Sequence, residues 1–124
     1  MKKNIGTEKA PSAIGPYSQA IEANGLLITS GQLPIDPATG TMPETVEEQT
    51  KQSLENCRAI IEAAGAGMKD VIKTTVFLSD MNNFGAMNGV YETFFEAPYP
   101  ARSAVQVARL PKDALVEIEC IVSK

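Results

Sequence analysis

The sequence predicts an α+β two-layer sandwich, in which a mixed sheet of about six strands carries two helices on one face. Three observations support this fold class. Segments with the periods of strands and helices follow one another in the order hairpin, helix, strand, helix and two strands. Each predicted helix has one apolar stripe, and the two C-terminal strands each have one apolar face. The helices are therefore expected to cover one face of the sheet and to leave the other face bare.

The N-terminal part of the chain predicts an edge strand followed by a hairpin. Residues 2–7 form the short edge strand, and two apolar-rich runs flank Asn24-Gly25, the pair of residues that most favours a two-residue turn. This turn would pair Ala23 with Leu26 and bring Tyr17 close to Ser30. In the simplest interpretation Tyr17 covers the edge of the core and Ser30 ends a strand. Gly31 follows directly and permits either a bulge or the close approach of a ligand.

Two helices are predicted from capping signals and apolar stripes. Thr45 and Glu48 form a capping box, and the stripe that follows continues to Ala64 before Gly65 ends the helix. Asp80 is expected to cap the second helix. The stripe of the second helix consists of Phe84, Met87, Tyr91, Phe94 and Phe95.

Three further residues of the second helix need an explanation. Asn88 lies at the edge of the apolar stripe, so its amide is expected to bond either a loop backbone or a ligand. Gly85 and Gly89 lower helix propensity and predict close packing at this surface.

Three strands complete the predicted sheet. They lie at residues 71–78, 100–111 and 115–122, and a short turn joins the last two. If the apolar faces of these strands pack on the helices, the side chains left on the bare face are those of Arg102, Gln106, Glu117 and Glu119. The simpler interpretation of Arg102 and Glu117 is a surface salt bridge. The alternative is that this face meets a ligand or another subunit.

Length and composition restrict the function classes. The chain of 124 residues is expected to form one domain, residues 1–124, with 44% hydrophobic residues and a net charge of −4. Lys and Arg do not cluster beyond Lys2-Lys3, so nucleic acid is not expected as a partner. The N-terminus lacks the pattern of a signal peptide, and no stretch is apolar enough to span a membrane. A cytoplasmic protein without a membrane partner is therefore expected.

The chain contains no histidine. This excludes the Ser-His-Asp triad, the Cys-His dyad and nearly every zinc site. Cys57 and Cys120 both fall on apolar faces and are expected to be buried free thiols. No metal and no organic cofactor is expected, so any chemistry must use Arg, Glu, Asp, Tyr, Ser, backbone groups and water.

Three motifs give the sequence a strong resemblance to a known family. They are Ala13-Ile14-Gly15-Pro16-Tyr17-Ser18-Gln19, Thr29-Ser30-Gly31-Gln32, and Pro100-Ala101-Arg102-Ser103 continuing through residues 107–113 to Glu117-Ile118-Glu119. The chain resembles the Rid family, also called YjgF, and within it the RidA subgroup of enamine and imine deaminases. The resemblance implies a chorismate-mutase-like fold and a homotrimer with a central barrel and ligand clefts between subunits.

The resemblance also implies roles for individual residues. Arg102 matches the arginine that clamps a substrate carboxylate, and Glu117 matches the glutamate associated with the reacting water. Tyr17 is the third expected catalytic residue, since together with Ser30 it holds or protonates the substrate. Further expected binding residues are Ser30, Gly31, Asn88 and Ala104. Many relatives have cysteine at the position of Ala104, so a role of the backbone is kept here and a role of a thiol is lost.

The implied reaction is the hydrolysis of 2-aminoacrylate, 2-iminopropanoate, 2-iminobutanoate and similar enamines and imines to 2-keto acids and ammonia. Arginine suits this reaction because its planar fork binds a carboxylate through two parallel hydrogen bonds. A second hypothesis is a regulator that binds 2-keto acids in the same cleft without catalysis. A third, an endoribonuclease or translation inhibitor, is disfavoured by the acidic charge and the absent histidine.

Overall fold

Six strands form one mixed sheet in the computed structural model, which describes all 124 residues. The strands are β1 (Lys3–Ile5), β2 (Ala20–Ala23), β3 (Leu26–Thr29), β4 (Val71–Leu78), β5 (Ala101–Gln106) and β6 (Val116–Ser123), and the helices are α1 (Val46–Ala63) and α2 (Phe84–Tyr91). The sheet order is β1-β2-β3-β6-β4-β5, in which only β4 and β5 are parallel. Both helices pack on one face. The predicted α+β two-layer sandwich is therefore confirmed.

The hairpin of β2 and β3 forms as the Asn-Gly pair predicts. Asn24 and Gly25 have φ angles of 52° and 79°, the positive values that a tight turn between twisted strands requires. Ala23 pairs with Leu26, and Ser30 donates a backbone hydrogen bond of 2.8 Å to Gln19 just beyond the strands. The edge strand β1 adds to this hairpin beside β2.

Helix α1 begins at its predicted cap. The hydroxyl of Thr45 accepts a hydrogen bond of 3.1 Å from the amide of Glu48, and Gly65 follows the helix with a φ of 83°. The buried stripe of α1 lies on the sheet, where the thiol of Cys57 donates a hydrogen bond of 3.5 Å to the carbonyl of Ile118 in β6. Cys57 and Cys120 are both buried free thiols, as predicted.

Helix α2 is shorter than its apolar stripe suggests. The carboxylate of Asp80 accepts a hydrogen bond from the amide of Asn82, so it caps a 3₁₀ turn, Met81–Asn83, that leads into the α-helix. A second 3₁₀ turn, Glu92–Phe94, ends the segment. The predicted stripe faces the core: Met87, Tyr91 and Phe95 are buried, and Phe84 and Phe94 are partly buried against them.

The prediction that Gly85 and Gly89 mark close packing is wrong. A methyl group added at either glycine would meet no atom within 4 Å, and both glycines are exposed on α2. Their surface is open in the single chain, so packing does not account for their presence.

The two C-terminal strands are not neighbours, because β4 lies between β5 and β6. The face of β6 that carries Val116, Ile118, Cys120 and Val122 is buried under α1, as its apolar pattern predicts. Glu117 and Glu119 point to the opposite, open face of the sheet. The predicted placement of these two glutamates is therefore correct.

The predicted orientation of β5 is wrong. Arg102 pairs with Thr74 and Gln106 with Leu78, and both of these β4 residues are buried on the helix side. Arg102, Ala104 and Gln106 therefore face the helices, whereas Ser103 and Val105 lie on the open face. Alternation shows which side chains share a face, but it does not show which face the helices cover. On the edge strand β5 the more apolar face is the uncovered one, and Val105 is 43% exposed.

Buried amide side chains attach the long loops to this framework. The side chain of Gln19 bonds the backbone of Thr7 through its amide and carbonyl groups, and it also donates to the carbonyls of Ala10 and Pro11. Asn56 on α1 donates to the carbonyls of Leu33 and Ile35. Neither helix has the length and apolar character to cross a lipid bilayer.

Candidate functional site

Arg102 is held against helix α2 by three side chains. Its guanidinium donates a hydrogen bond of 2.6 Å to the side-chain oxygen of Asn88. The Cζ atom of Arg102 lies 4.7 Å from the ring centroid of Tyr91 and 5.3 Å from that of Phe84. Both distances are typical of cation–π contacts. The side-chain oxygen of Asn88 thus bonds Arg102 and not the loop backbone that was one of its two expected partners.

Arg102 differs from the other two arginines of the chain in having no acidic partner. Arg58 is paired with Glu55 at 2.5 Å, and Arg109 is paired with Asp113 at 2.8 Å. No carboxylate of the chain forms a salt bridge with Arg102. A permanently charged fork that is half-buried without a counter-ion is suited to bind an external anion. The sequence hypothesis of a surface salt bridge between Arg102 and Glu117 is therefore wrong for the single chain.

A depression of the surface gives access to this arginine. It is lined by Asn88, Tyr91, Glu92, Tyr99, Pro100 and Arg102. Two other depressions lie along α1 and contain none of the predicted site residues. Ala104 follows Arg102 on the same face of β5, and its methyl group packs against the hydrophobic core.

Glu117 lies on the open face of the sheet, directly against Gly31. A methyl group added at Gly31 would lie 2.9 Å from the carboxyl carbon of Glu117, a distance that real side chains do not tolerate. A backbone bridge fixes this contact, because Gln32 exchanges hydrogen bonds of 2.7 and 3.2 Å with Ile118. The absence of a side chain at Gly31 therefore creates the space that the carboxyl group occupies.

Burial and a neighbouring charge raise the pKa of Glu117. Removal of water from around the carboxyl group is the larger cause, and the negative charge of Glu119 on the same face is the second. A carboxyl group whose pKa moves towards neutrality can both accept and return a proton, which is the property of a general acid–base catalyst.

Ser30 and Tyr17 precede Gly31 in the chain, and their polar groups have local partners. The hydroxyl of Ser30 donates a hydrogen bond of 2.6 Å to the carbonyl of Ser18. Tyr17 is 52% exposed, and its hydroxyl accepts a hydrogen bond of 3.4 Å from the amide of Ile14. Tyr17 is thus about half-exposed and is not part of the hydrophobic core cluster.

The predicted site residues fall into two groups on opposite faces of the sheet. Arg102, Asn88 and Ala104 form the helix-side group. Glu117 and Gly31 lie in contact on the open side, and Ser30 directly precedes Gly31 in the chain. Arg102 is level with Thr74 of β4 and Glu117 with Phe77, two strands away, so their Cα atoms are roughly 14 Å apart. A small molecule cannot touch both side chains in one chain.

The sequence reasoning missed two residues that contact Arg102. The sequence indicates Phe84 and Tyr91 only as members of the apolar stripe of the second helix. Asn88 lies four residues after Phe84 and three before Tyr91, so one helical surface carries all three side chains. The signal was present in this spacing, but it needed the pairing of β5 with β4 to bring Arg102 to that surface. No cluster of three or more His, Cys, Asp or Glu side chains suited to a metal ion occurs in the structure.

Comparison with known proteins identifies the class to which this fold and these residues belong. The sequence model of the family described as Endoribonuclease L-PSP matches residues 7–124. The chain therefore belongs to this family, the Rid or YjgF family that the motifs indicated.

Individual relatives are similar over nearly their whole length. A protein of Salmonella typhimurium named 2-iminobutanoate/2-iminopropanoate deaminase is 55% identical over 98% of this chain and 97% of its own. The crystal structure of the YjgF gene product of Escherichia coli superposes with a TM-score of 0.95, is 52% identical and covers 98% of both chains. The structure of E. coli TdcF with bound serine has the same TM-score and coverage at 50% identity.

Proposed function

We propose that this protein, as a single domain of residues 1–124, hydrolyses enamine and imine derivatives of small 2-amino acids to 2-keto acids and ammonia. The observation that carries the proposal is the state of Arg102, which is fixed by Asn88 and two aromatic rings and lacks an acidic partner. A carboxylate is the natural ligand of such a guanidinium. Relatives as similar as the Salmonella deaminase support an imine as the group attached to that carboxylate.

The separation of the two residue groups supports a site that two copies of the chain form together. Arg102 and Glu117 are too far apart, and on opposite faces, to act on one small substrate within a chain. If the edge strand β5 of one copy lies beside the open face of another, Arg102 of the first approaches Glu117 of the second. Such a site would exist only at the interface between subunits.

The open face has the composition of an interface between subunits. On this face, Leu26 and Ile28 of β3 are 38% and 49% exposed, and Val105 of β5 is also exposed. Exposed aliphatic side chains along one sheet are better covered by protein than by water. Heterologous contacts form a closed ring when the rotation between copies closes, and the family resemblance implies three copies. We therefore propose a homotrimer in which the three open faces form a central barrel and three equivalent clefts.

The proposed reaction begins when Arg102 binds the substrate carboxylate. An enamine such as 2-aminoacrylate first gains a proton on its terminal carbon and loses one from nitrogen, which gives 2-iminopropanoate. Water then adds through its oxygen to the imine carbon and forms a tetrahedral amino alcohol. The carbon–nitrogen bond breaks, the hydroxyl oxygen becomes the carbonyl of the 2-keto acid, and nitrogen leaves as ammonia.

Glu117 provides the proton transfers of this scheme. As a carboxylate it orients water and accepts a proton when the oxygen attacks, and it returns the proton to the departing nitrogen. The raised pKa of Glu117 favours this exchange because donor and acceptor forms are then closer in free energy. In the proposed interface, further removal of water would raise the pKa of Glu117, whereas the approaching guanidinium of Arg102 would lower it.

The other predicted site residues would hold the reacting end of the substrate. Tyr17 and Ser30 offer hydroxyl groups to the nitrogen or the carbonyl oxygen. Gly31 lets the substrate and Glu117 approach the backbone closely. Ala104 has no reactive side chain, so its contribution is limited to its backbone.

The direct test couples a serine or threonine dehydratase to catalytic amounts of this protein and follows the transient absorbance of the enamine and imine. We expect faster decay with wild type and little acceleration with Arg102→Ala. An uncatalysed rate with pure wild-type protein would overturn the proposal.

A second candidate, a regulator that binds small carboxylic metabolites, is favoured by the serine found in E. coli TdcF. The same Arg102 would serve it. The regulator hypothesis predicts that wild type binds serine or a 2-keto acid saturably and does not accelerate imine decay. The nuclease activity in the family's description is not proposed for this chain, which has a net charge of −4 and no histidine.

A further inference from the structure

We propose that Phe84 and Tyr91 are positioning residues that hold the guanidinium of Arg102 in the orientation that binds the substrate carboxylate. The inference rests on the proposed function in so far as it takes a carboxylate to be the ligand. It adds two aromatic residues of α2 to the site, and it gives Asn88 the role of holding Arg102 through a hydrogen bond.

The first support is the chemistry of the contacts. An arginine has five N–H donors, and the structure shows one of them bonded, from Nη1 to Asn88. The aromatic rings attract the positive charge without occupying any strong hydrogen-bond donor. A carboxylate in their place would consume donors and neutralise the charge, as Asp113 does through two hydrogen bonds to Arg109. The rings of Phe84 and Tyr91 therefore fix Arg102 while leaving its donors available.

The second support is that Tyr91 is itself immobilised. Its hydroxyl shares a buried hydrogen bond of 2.6 Å with the hydroxyl of Thr74, and Thr74 is the residue directly opposite Arg102 in the β4–β5 pair. On its other side the ring packs against Phe95 at a centroid distance of 4.8 Å. The ring beside Arg102 is thus tied to the strand next to the one that carries Arg102, and the two cannot shift independently.

This arrangement predicts a particular kinetic signature. The substrate carboxylate takes no part in bond making, so its interaction with Arg102 is similar in the ground state and the transition state. Loosening the guanidinium should therefore raise KM and leave kcat nearly unchanged. Loss of Glu117, by contrast, should lower kcat.

The chain offers a matched pair of substitutions for the test. Phe84→Leu removes the ring beside Arg102, and Phe94→Leu removes a ring that lies 5.1 Å from Arg58. Both phenylalanines are partly buried and pack against the same core. We expect Phe84→Leu to raise KM, and the Kd for 2-oxobutanoate, about three- to tenfold with kcat within twofold of wild type. Phe94→Leu should change none of these values.

A spectroscopic measurement separates this inference from the deaminase activity itself. With ¹⁵N-labelled arginine the protein has three Nε–Hε signals, and Arg102→Ala identifies one of them by its loss. In wild type the Arg102 signal should show a rigid guanidinium, and in Phe84→Leu a mobile one, whether or not the protein is an enzyme. If wild type fails to hydrolyse imines but this difference appears, the proposed function fails and the positioning role stands.

Tyr91→Phe provides a second variant that preserves the ring and removes only the bond to Thr74. It should increase the mobility of Arg102 and raise the Kd for 2-oxobutanoate in the same direction as Phe84→Leu, by a smaller factor. If Phe84→Leu does not fold, Tyr91→Phe decides the question. Wild-type values of KM, Kd and guanidinium mobility in the folded variants would overturn the inference.

Discussion

Arg102 and Glu117 are separated by one strand, β4, and point to opposite faces of the sheet. Arg102 is level with Thr74 and faces α2, whereas Glu117 is level with Phe77 and lies on the open face against Gly31. A small molecule therefore cannot contact both side chains within one chain. The predictions that follow depend on this geometry and on the contacts of each group.

Subunits that lack one of the two residues should restore each other's activity. Arg102→Ala and Glu117→Gln are each expected to lose most of the wild-type activity. When the two variants are mixed and allowed to exchange subunits, a cleft is intact if its arginine comes from one variant and its glutamate from the other. Random assembly at equal amounts gives this combination in roughly a quarter of clefts. The dehydratase-coupled assay measures the recovery, and a mixture as inactive as its components would place both residues in one chain's site.

Removal of the arginine should abolish binding of the carboxylate without unfolding the protein. Arg102→Ala is expected to lower kcat/KM about a hundredfold, since hydrogen bonds between charged groups contribute up to about 3 kcal/mol. Arg102→Lys retains the charge but lacks the planar fork, so it should fall between wild type and alanine. Steady-state kinetics, with circular dichroism as the control for folding, provide the comparison. Equal activity of the lysine variant and wild type would argue against a bidentate clamp.

A methyl group at Gly31 should disturb catalysis more than stability. Gly31→Ala places a carbon 2.9 Å from the carboxyl carbon of Glu117, and the flexible glutamate side chain must move away. A displacement of about 1 Å in a catalytic group can lower kcat by up to about a hundredfold. Gly85→Ala is the control, because its methyl group meets no atom within 4 Å and it should stabilise α2 by about 0.5–1 kcal/mol. Unchanged kcat in Gly31→Ala would show that the position of Glu117 does not matter.

The pH dependence of the reaction should report the raised pKa of Glu117. The carboxylate form accepts the proton from water, so kcat/KM should fall as the pH drops through a pKa above the ordinary value of 4.5. Glu119→Gln removes the neighbouring negative charge, so the pKa of Glu117 should decrease and the acidic limb of the profile should move to lower pH. If the acidic limb does not move in Glu119→Gln, the protonation of Glu117 does not control the rate.

The raised pKa of Glu117 also affects the free energy of unfolding. This effect on stability decreases as the pH rises, whereas the activity increases. Because the folded chain binds the proton of Glu117 more tightly than the unfolded chain, this residue contributes stability below pH 4.5 that is lost as the pH rises through the raised pKa. Glu117→Gln should remove this contribution. Urea denaturation of the variant and wild type across that window tests the sign.

The side chain of Gln19 should be important for stability. It forms four hydrogen bonds with the backbone of residues 7–11, and one of them is fully buried. Gln19→Ala leaves these backbone groups without their partner and should lower the free energy of unfolding by about 2 kcal/mol. Asn82→Ala removes an exposed amide side chain and should stay within about 0.5 kcal/mol of wild type. Thermal or urea denaturation distinguishes the two.

The local signals in the sequence were sufficient where one short segment determines its own geometry. Asn24-Gly25 fixes its turn through backbone conformation, and Thr45 caps its helix through a hydrogen bond three residues away. The inward face of β6 is also local information, because its four buried apolar side chains alternate with less buried ones.

The orientation of β5 required information that no short segment contains. Its alternation separates Arg102 from Val105, but only the parallel pairing with β4 decides which of them faces the helices. An edge strand makes this choice hard to predict, since neither of its faces is deeply buried. The candidate residues themselves were obtained from the family resemblance, and their division between two faces was found in the structure.

Cys57 and Cys120 have a practical consequence. Both thiols are fully enclosed between α1 and the sheet, and the chain has no other cysteine. An alkylating reagent can reach them only when α1 separates from β6, so the rate of labelling under native conditions measures how often that opening occurs. The protein thus contains its own reporter of transient opening, and mass spectrometry of alkylated chains can rank the variants described above without a denaturant.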